Sequence, residues 1–134
     1  MGSGRLLELT AAAGALTVTF VEALPDSRIF RKFGSQLLSS GTSAEANYRA
    51  AKRARSPAEF VAKLKIVEEE ADESMIWIDR MRTAKLPASL IADAERLRDM
   101  FDQIVAMTVE SIKTTKARHI PPPRPRRRPD RDRE

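Results

Sequence analysis

Hydrophobic positions recur along most of the chain at alternating steps of three and four residues, the spacing of one face of an α-helix. The clearest run begins at Pro57 and ends near Lys85, and its inward positions are Phe60, Leu64, Val67, Ala71, Ser74, Ile78 and Met81. Before it stands a capping box, in which Ser56 accepts from the Glu59 amide and Glu59 accepts from the Ser56 amide. Pro57 takes the first helical position, where no N–H is needed. The segment predicts a helix.

Three other segments share this spacing and predict helices from about Arg5 to Leu24, Arg28 to Arg55 and Ala88 to Lys116. Pro25 ends the first, and Asp26 or Ser27 caps the second. Lys85-Leu86-Pro87 forms the turn before the last. Because the connections are short, neighbouring helices must run antiparallel. The pattern therefore predicts an all-α fold, an antiparallel up-down four-helix bundle over residues 5–118.

The second helix carries an unusually small inward stripe. Its members are Phe33, Leu37, Ser40, Ala44, Asn47 and Ala51. Small residues at its centre predict that a neighbouring helix approaches closely there, although Gly41 is also compatible with a kink or break. Asn47 either fixes the register of the helices or contacts a partner.

Apolar residues of the third helix also lie off its inward stripe, at Ile66, Met75, Ile76 and Trp77. A lone surface helix does not place so many apolar groups around its circumference. The pattern predicts a second buried face supplied by a partner subunit, and hence a homo-oligomer. Tyr48 and Trp77 are compatible with stacking on bases and with buried or interfacial packing.

Positive charge is distributed unevenly along the 134 residues. The net charge is +5, and residues 117–134 contain seven Arg against three acids. Residues 119–134 are rich in Pro and Arg and predict a disordered basic tail that includes Arg124, Arg126, Arg127 and Arg128. Residues 1–4 are interpreted as disordered or as a cloning remnant. The folded part is therefore nearly neutral, and its basic residues must be assessed by position.

The end of the second helix is the basic segment of the bundle. Arg49, Lys52 and Arg53 fall on one helical side, and Arg55 follows closely. Such a cluster is compatible with binding of nucleic-acid phosphates. It is equally compatible with a solvated face that pairs with the acidic residues of the third helix.

The sequence offers little catalytic chemistry. The acids between Glu68 and Glu73 resemble a di-iron helix only superficially, because such sites need Glu-x-x-His pairs and the only histidine is His119. Cysteine is absent, and so is a Gly-rich phosphate loop. A Ser-Lys pair is not excluded by sequence. We expect no enzyme activity, no metal and no cofactor, and we expect a cytoplasmic protein without a membrane span, in which residues 9–21 form an amphipathic helix.

Several motifs together carry a family resemblance. They are Gln36-Leu37-Leu38-Ser39-Ser40-Gly41-Thr42-Ser43, Ala46-Asn47-Tyr48-Arg49-Ala50, Ala54-Arg55-Ser56, Glu59-Phe60, Lys63-Leu64, Glu70-Ala71-Asp72-Glu73-Ser74, Trp77-Ile78 and Ser111-Ile112-Lys113-Thr114. In this combination the chain resembles, over residues 9–118, a bacterial four-helix-bundle family. Its members are encoded in intervening sequences of large-subunit ribosomal RNA genes or stand alone.

The resemblance implies a homopentameric barrel with a central channel. A related branch, the accessory variability determinant of diversity-generating retroelements, binds nucleic acid and a reverse transcriptase through basic surfaces. This chain departs from the family at Glu45, where glycine is usual, and at Glu69, where lysine is frequent. Both departures reduce positive charge. Two hypotheses follow: an oligomeric scaffold that binds RNA or DNA phosphates, and an oligomeric protein-interaction adaptor.

Overall fold

The computed structural model describes residues 2–119 and residue 125. Within them the chain forms four helices and no strand: α1 (Gly2–Glu22), α2 (Arg28–Lys52), α3 (Pro57–Thr83) and α4 (Ala88–Arg118). Each helix packs against two others, in the cyclic order α1, α2, α3, α4 and back to α1. Short connections make sequential helices antiparallel, so the predicted all-α four-helix fold is confirmed.

Two helix boundaries differ from the sequence prediction. α1 begins at Gly2, so residues 2–4 are helical and the prediction that they are disordered is wrong. α2 ends at Lys52 instead of Arg55. The reason is that Ser56 is the N-cap of α3 and has an extended backbone, with φ −150° and ψ 157°, so the chain must leave the α2 helix before it. The predicted basic tail lies outside the described residues, except for His119 and Pro125.

The predicted capping box forms with one change of partner. The Glu59 N–H donates to Ser56 Oγ at 3.1 Å, as expected. The Glu59 carboxylate, however, accepts from the Arg55 N–H at 3.1 Å and not from the Ser56 N–H. At the start of α2 the cap is Ser27, whose Oγ accepts from the Phe30 N–H at 3.3 Å. Asp26 instead forms an ion pair with Arg31.

The core follows the predicted stripes most closely on α3 and α4, where Leu64, Val67, Ile78, Leu97, Phe101 and Ile104 are fully buried. On α1 the spacing predicts the inward positions Leu9, Ala13, Leu16, Phe20 and Leu24. Ala13 and Phe20 are buried as predicted, whereas Leu9, Leu16 and Leu24 are half-buried, and Thr10 and Thr17 are completely buried. These threonines tolerate burial because their hydroxyls donate to carbonyls one turn earlier, at 2.9 Å and 2.7 Å.

The small stripe of α2 permits close helix approach, as predicted. Ser40 Oγ and Ser74 Oγ are 2.7 Å apart in the core, which links α2 to α3. α2 continues through Gly41 without a break, so the alternative of a broken helix at Gly41 is wrong. The glycine instead leaves room for Thr17 of α1.

The off-stripe residues of α3 are partly explained within one chain. Met75 is buried, and Ile66 and Trp77 are half-buried. The Trp77 ring lies 5.7 Å from that of Phe33, and its Nε1–H donates to Glu73 at 3.2 Å. Because α3 packs between α2 and α4, its buried arc is wide, so Met75 is buried without a partner subunit, whereas contact of the half-buried Ile66 and Trp77 with a partner stays a prediction. Ile76 alone of the predicted set is exposed.

Candidate nucleic-acid interface

The alternating helix directions bring two basic segments to one end of the bundle. The carboxyl ends of α2 and α4 lie there, beside the amino ends of α1 and α3. A surface depression shows the contact directly, because Lys52 and Arg55 line it together with Thr115 and His119. We call this region the basic end and define it by Arg49, Lys52, Arg53, Arg55, Lys113, Lys116, Arg118 and His119, all of which are exposed.

Of the four predicted phosphate-binding residues on or after α2, one is already ion-paired. Arg49 Nη2 lies 3.0 Å from Glu45 Oε1. The Glu45 carboxylate also lies over Gly14 of α1, where a Cβ would come within 2.7 Å of its Oε2. Arg49 is thus partly neutralised, whereas Lys52, Arg53 and Arg55 extend the exposed basic surface. The predicted binding residues Arg124, Arg126, Arg127 and Arg128 lie outside the described residues.

The contribution of α4 was missed in the sequence interpretation. The fourth helix has three basic residues near its carboxyl end, Lys113, Lys116 and Arg118. They are spread over six positions and do not form a compact cluster in the sequence. An antiparallel bundle places the second and fourth helix ends together, so topology combined with the charges could have indicated them. Cations in the last turn of a helix also interact favourably with its dipole, which gives these residues a structural role as well.

An apolar cleft adjoins the basic end. Its volume is about 430 Å³, and its lining residues are Leu6, Tyr48, Phe60, Met107, Glu110, Ser111, Thr114, Thr115 and Arg118. Tyr48 is only 2% exposed, so the stacking of a base on its ring, considered from sequence, is ruled out in this structure. Burial raises the pKa of the Tyr48 hydroxyl, which favours its neutral form.

Asn47 does not link helices. Its side-chain amide donates to the Ser43 carbonyl and to Ser43 Oγ, both at 2.9 Å and both within α2. Tyr48 instead occupies the buried position next to it. These contacts do not match the predicted interhelical register role of Asn47.

The acidic run of α3 makes a contrasting surface. Glu69 and Asp72 are exposed, and together with Lys65, Glu68 and Val105 they line a shallow depression between α3 and α4. Partial burial raises the pKa of the Glu70 carboxyl, and Glu73 and Glu69 raise it further. In the described part of the chain, no group of three His, Asp or Glu side chains is arranged as metal ligands. The negative charge of this flank would repel a phosphate.

Two neighbouring stretches of α1 and α2 contain no charged residue of their own, although the Glu45 carboxylate reaches over Gly14. Residues 9–21 and 33–44 contain no Asp, Glu, Lys or Arg. The two stretches lie side by side: Gly41 packs against Thr17, and Gly34 packs against Leu24 and Val21. Exposed large side chains on these helices are Leu7, Val18, Ile29 and Leu38, with Val18 at 50% exposure. We call residues 9–21 and 33–44 together the uncharged face.

Judged by length and composition alone, the segment Gly4–Glu22 of α1 is long and apolar enough to cross a membrane. One-third of that segment is buried within the bundle. Its inward side contacts α2 and α4, so α1 serves here as a helix of the bundle.

The whole fold is similar to a solved structure, that of a protein of unknown function from the S23 ribosomal protein family of Bacteroides thetaiotaomicron. The two are 26% identical with a TM-score of 0.72, over 84% of this chain and 99% of that one. No protein-family model and no curated protein matches this chain. The likeness supports the all-helical architecture across nearly the full length of the solved protein.

Proposed function

We propose that this protein is a non-enzymatic, oligomeric helical scaffold whose basic end binds the phosphates of RNA or DNA with little sequence preference. The observation that carries the proposal is the convergence of Lys52 and Arg55 with the end of α4 around one depression. Two separate basic segments thereby form one surface, and the Arg-rich residues 120–134 continue the chain from it.

Charge contrast around the bundle supports this assignment. Exposed cations lie at both ends of the bundle, but at the opposite end Arg31 and Arg82 are ion-paired with Asp26 and Glu95. Glu68, Glu69 and Asp72 lie along the flank of α3 and α4. A polyanion would be attracted to the basic end and repelled from the flank. Phosphate contacts position a nucleic acid without reading its bases, so little sequence preference is expected.

Self-association is the second part of the proposal. The residues of the uncharged face carry no charge of their own over about three helical turns, apart from the Glu45 carboxylate that reaches over Gly14, and they expose Val18 and Leu38. A second copy of the chain offers a surface of the same uncharged character, and the Ala-rich outer side of α1 lets another helix approach closely. Five copies are favoured, as the family resemblance implies, and each copy would add a basic end to the assembly.

The likeness to the S23 ribosomal protein family structure supports a further inference about relationship. We infer that the chain is related to the bacterial bundles encoded in ribosomal RNA intervening sequences, and through them to the accessory determinant of diversity-generating retroelements. A ribonucleoprotein or reverse transcriptase would then be a partner. A cytoplasmic location and the absence of a membrane partner are part of the same proposal.

The alternative function is an oligomeric adaptor that binds proteins and no nucleic acid. The ion pair between Arg49 and Glu45 favours it, because a dedicated phosphate site would leave that guanidinium unpaired. The two functions differ in salt dependence. If phosphates are bound, the affinity for a labelled single strand should fall with salt with a log–log slope of about −0.7 per contact. Absence of binding at low salt would support the adaptor.

A further inference from the structure

Phe60 occupies the junction between two neighbouring concavities at the basic end. Together with Thr115 it lines both the apolar cleft of about 430 Å³ and the basic depression of about 400 Å³. Each volume lies in the range of about 300–1,000 Å³ that is typical of small-molecule sites. Phe60 is half-buried, so part of the side chain remains accessible from these two spaces.

The two concavities differ in chemistry. The lining of the cleft includes the apolar Leu6 and Met107, and the exposed Glu110 and Arg118 carry one charge of each sign there. The depression is lined by Lys52, Arg55 and His119. The Glu110 carboxylate can accept an N–H from a nucleobase, and its charge is offset by Arg118, whereas the depression has Lys52 and Arg55 and no acid in its lining, so it favours a phosphate more strongly.

We propose that these neighbouring concavities form a nucleotide site for single-stranded nucleic acid, in which a base stacks on Phe60 over the apolar cleft and the adjacent phosphate binds Lys52 and Arg55. His119 lines the depression together with Phe60, so its ring offers a second flat surface to a base that extends past Phe60. This proposal rests on the proposed phosphate-binding function. It adds that the protein prefers single-stranded to double-stranded nucleic acid. A duplex hides both the faces and the pairing edges of its bases, whereas a single strand offers them to aromatic side chains.

The test compares two labelled probes with the full chain at low salt: a ten-residue oligo(dT) and a ten-residue abasic strand that has the same phosphates. Residues 120–134 meet the same phosphates in both probes, and any stacking of their Arg side chains on bases is the same in every variant below, so the variants isolate the contribution of Phe60. The proposal predicts that oligo(dT) binds about five- to tenfold more tightly, as expected when a base stacks on an aromatic side chain. Fluorescence anisotropy gives both dissociation constants.

Three variants locate the effect. Phe60→Leu keeps an apolar side chain in the bundle and should bring oligo(dT) close to the abasic affinity, with the abasic affinity unchanged. His119→Ala, at an exposed helix end where folding is not at stake, should reduce the preference about two- to threefold. Phe33→Leu removes an aromatic ring that packs against Trp77 instead, and it should leave the preference intact.

The outcomes separate the two proposals. Equal affinity of the full chain for both probes, or a preference that survives both Phe60→Leu and His119→Ala, overturns the nucleotide site and leaves phosphate binding standing. No binding of either probe at low salt overturns the proposed function together with the site.

Discussion

Gly41 of α2 lies directly against Thr17 of α1. A Cβ at position 41 would come within 2.7 Å of Thr17 Oγ1 and 2.9 Å of its Cγ2, with Phe101 Cζ at 3.2 Å. Thr17 cannot easily turn away, because its hydroxyl donates to the Ala13 carbonyl at 2.7 Å. The glycine therefore sets how closely these two helices pack.

Gly41→Ala should lower the free energy of unfolding by about 1–2 kcal/mol, because overpacking of the core outweighs the gain in helix propensity. Denaturant titration followed by circular dichroism measures the change. Gly4→Ala is the matched control, since nothing lies within 4 Å of its added Cβ, and it should be neutral or slightly stabilising. Thr17→Ala in the Gly41→Ala background should recover part of the loss. No recovery would mean that Thr17 is not the obstacle.

A second prediction concerns the ion pair between α3 and α4, in which Arg98 Nε and Nη2 donate to the two Asp79 oxygens at 2.8 Å and 3.3 Å. The hydrogen bond from Arg98 lowers the pKa of the Asp79 carboxyl, against the opposing effect of burial. A carboxyl with a lowered folded-state pKa stabilises the fold above its unfolded pKa, and the contribution is lost as pH falls through the folded value.

Asp79→Asn should therefore cost about 0.5–1 kcal/mol of unfolding free energy at pH 7, the size expected for a half-exposed pair. The difference from the unaltered chain should shrink as pH falls below about 4. Denaturant titrations at several pH values provide the measurement, with the exposed Asp93→Asn as control. A difference that stays constant down to pH 2 would contradict the linkage.

The sequence patterns predicted α3 and α4 well because their buried positions are large aliphatic or aromatic residues at regular spacing. They predicted α1 less well, since Thr10 and Thr17 are buried by satisfying their hydroxyls within the helix, and hydrophobicity alone does not show this. Met75 was assigned to a partner subunit because the pattern does not reveal how wide an arc two neighbouring helices cover. Of the candidate basic end, the sequence pattern indicates only the end of α2, because Lys116 and Arg118 join it through the topology of the bundle.

A third prediction separates the uncharged face from α3 as the surface of self-association. Val18→Glu should dissociate the assembly, because it buries a charge in an uncharged interface. Ile76→Glu, at a site of nearly equal exposure on α3, is the matched control and should have no effect. Light scattering at micromolar concentration should give several times the 15.0 kDa chain mass for the unaltered protein, with five copies favoured.

The result can contradict the assignment in two ways. A monomeric unaltered chain would remove self-association altogether. If Ile76→Glu dissociates the assembly and Val18→Glu does not, the interface between subunits lies on α3 and not on the uncharged face.

A fourth prediction concerns residues 120–134. Their removal should leave the helical circular dichroism signal and the melting temperature nearly unchanged, because a Pro- and Arg-rich segment buries little apolar surface. A drop of more than a few degrees would show that the segment packs on the bundle.

The central claim is that one end of the bundle binds phosphates, and the most direct measurement compares two charge-matched variants in a chain that ends at His119. One variant replaces Arg49, Lys52, Arg53 and Arg55 with Gln. The other variant also introduces Gln, at Arg28, Lys32, Arg80 and Arg96, which are exposed and lie toward the opposite end. Both lose the same positive charge, so they differ only in position.

Fluorescence anisotropy with a labelled single strand, repeated across salt concentrations, gives the affinity and its slope. We predict that the variant at the basic end loses most of its low-salt affinity and that its slope becomes shallower by about 0.7 for each contact removed. The variant at the opposite end should stay close to the unaltered chain. Equal effects of the two variants, or no binding by the unaltered chain at low salt, would contradict the claim.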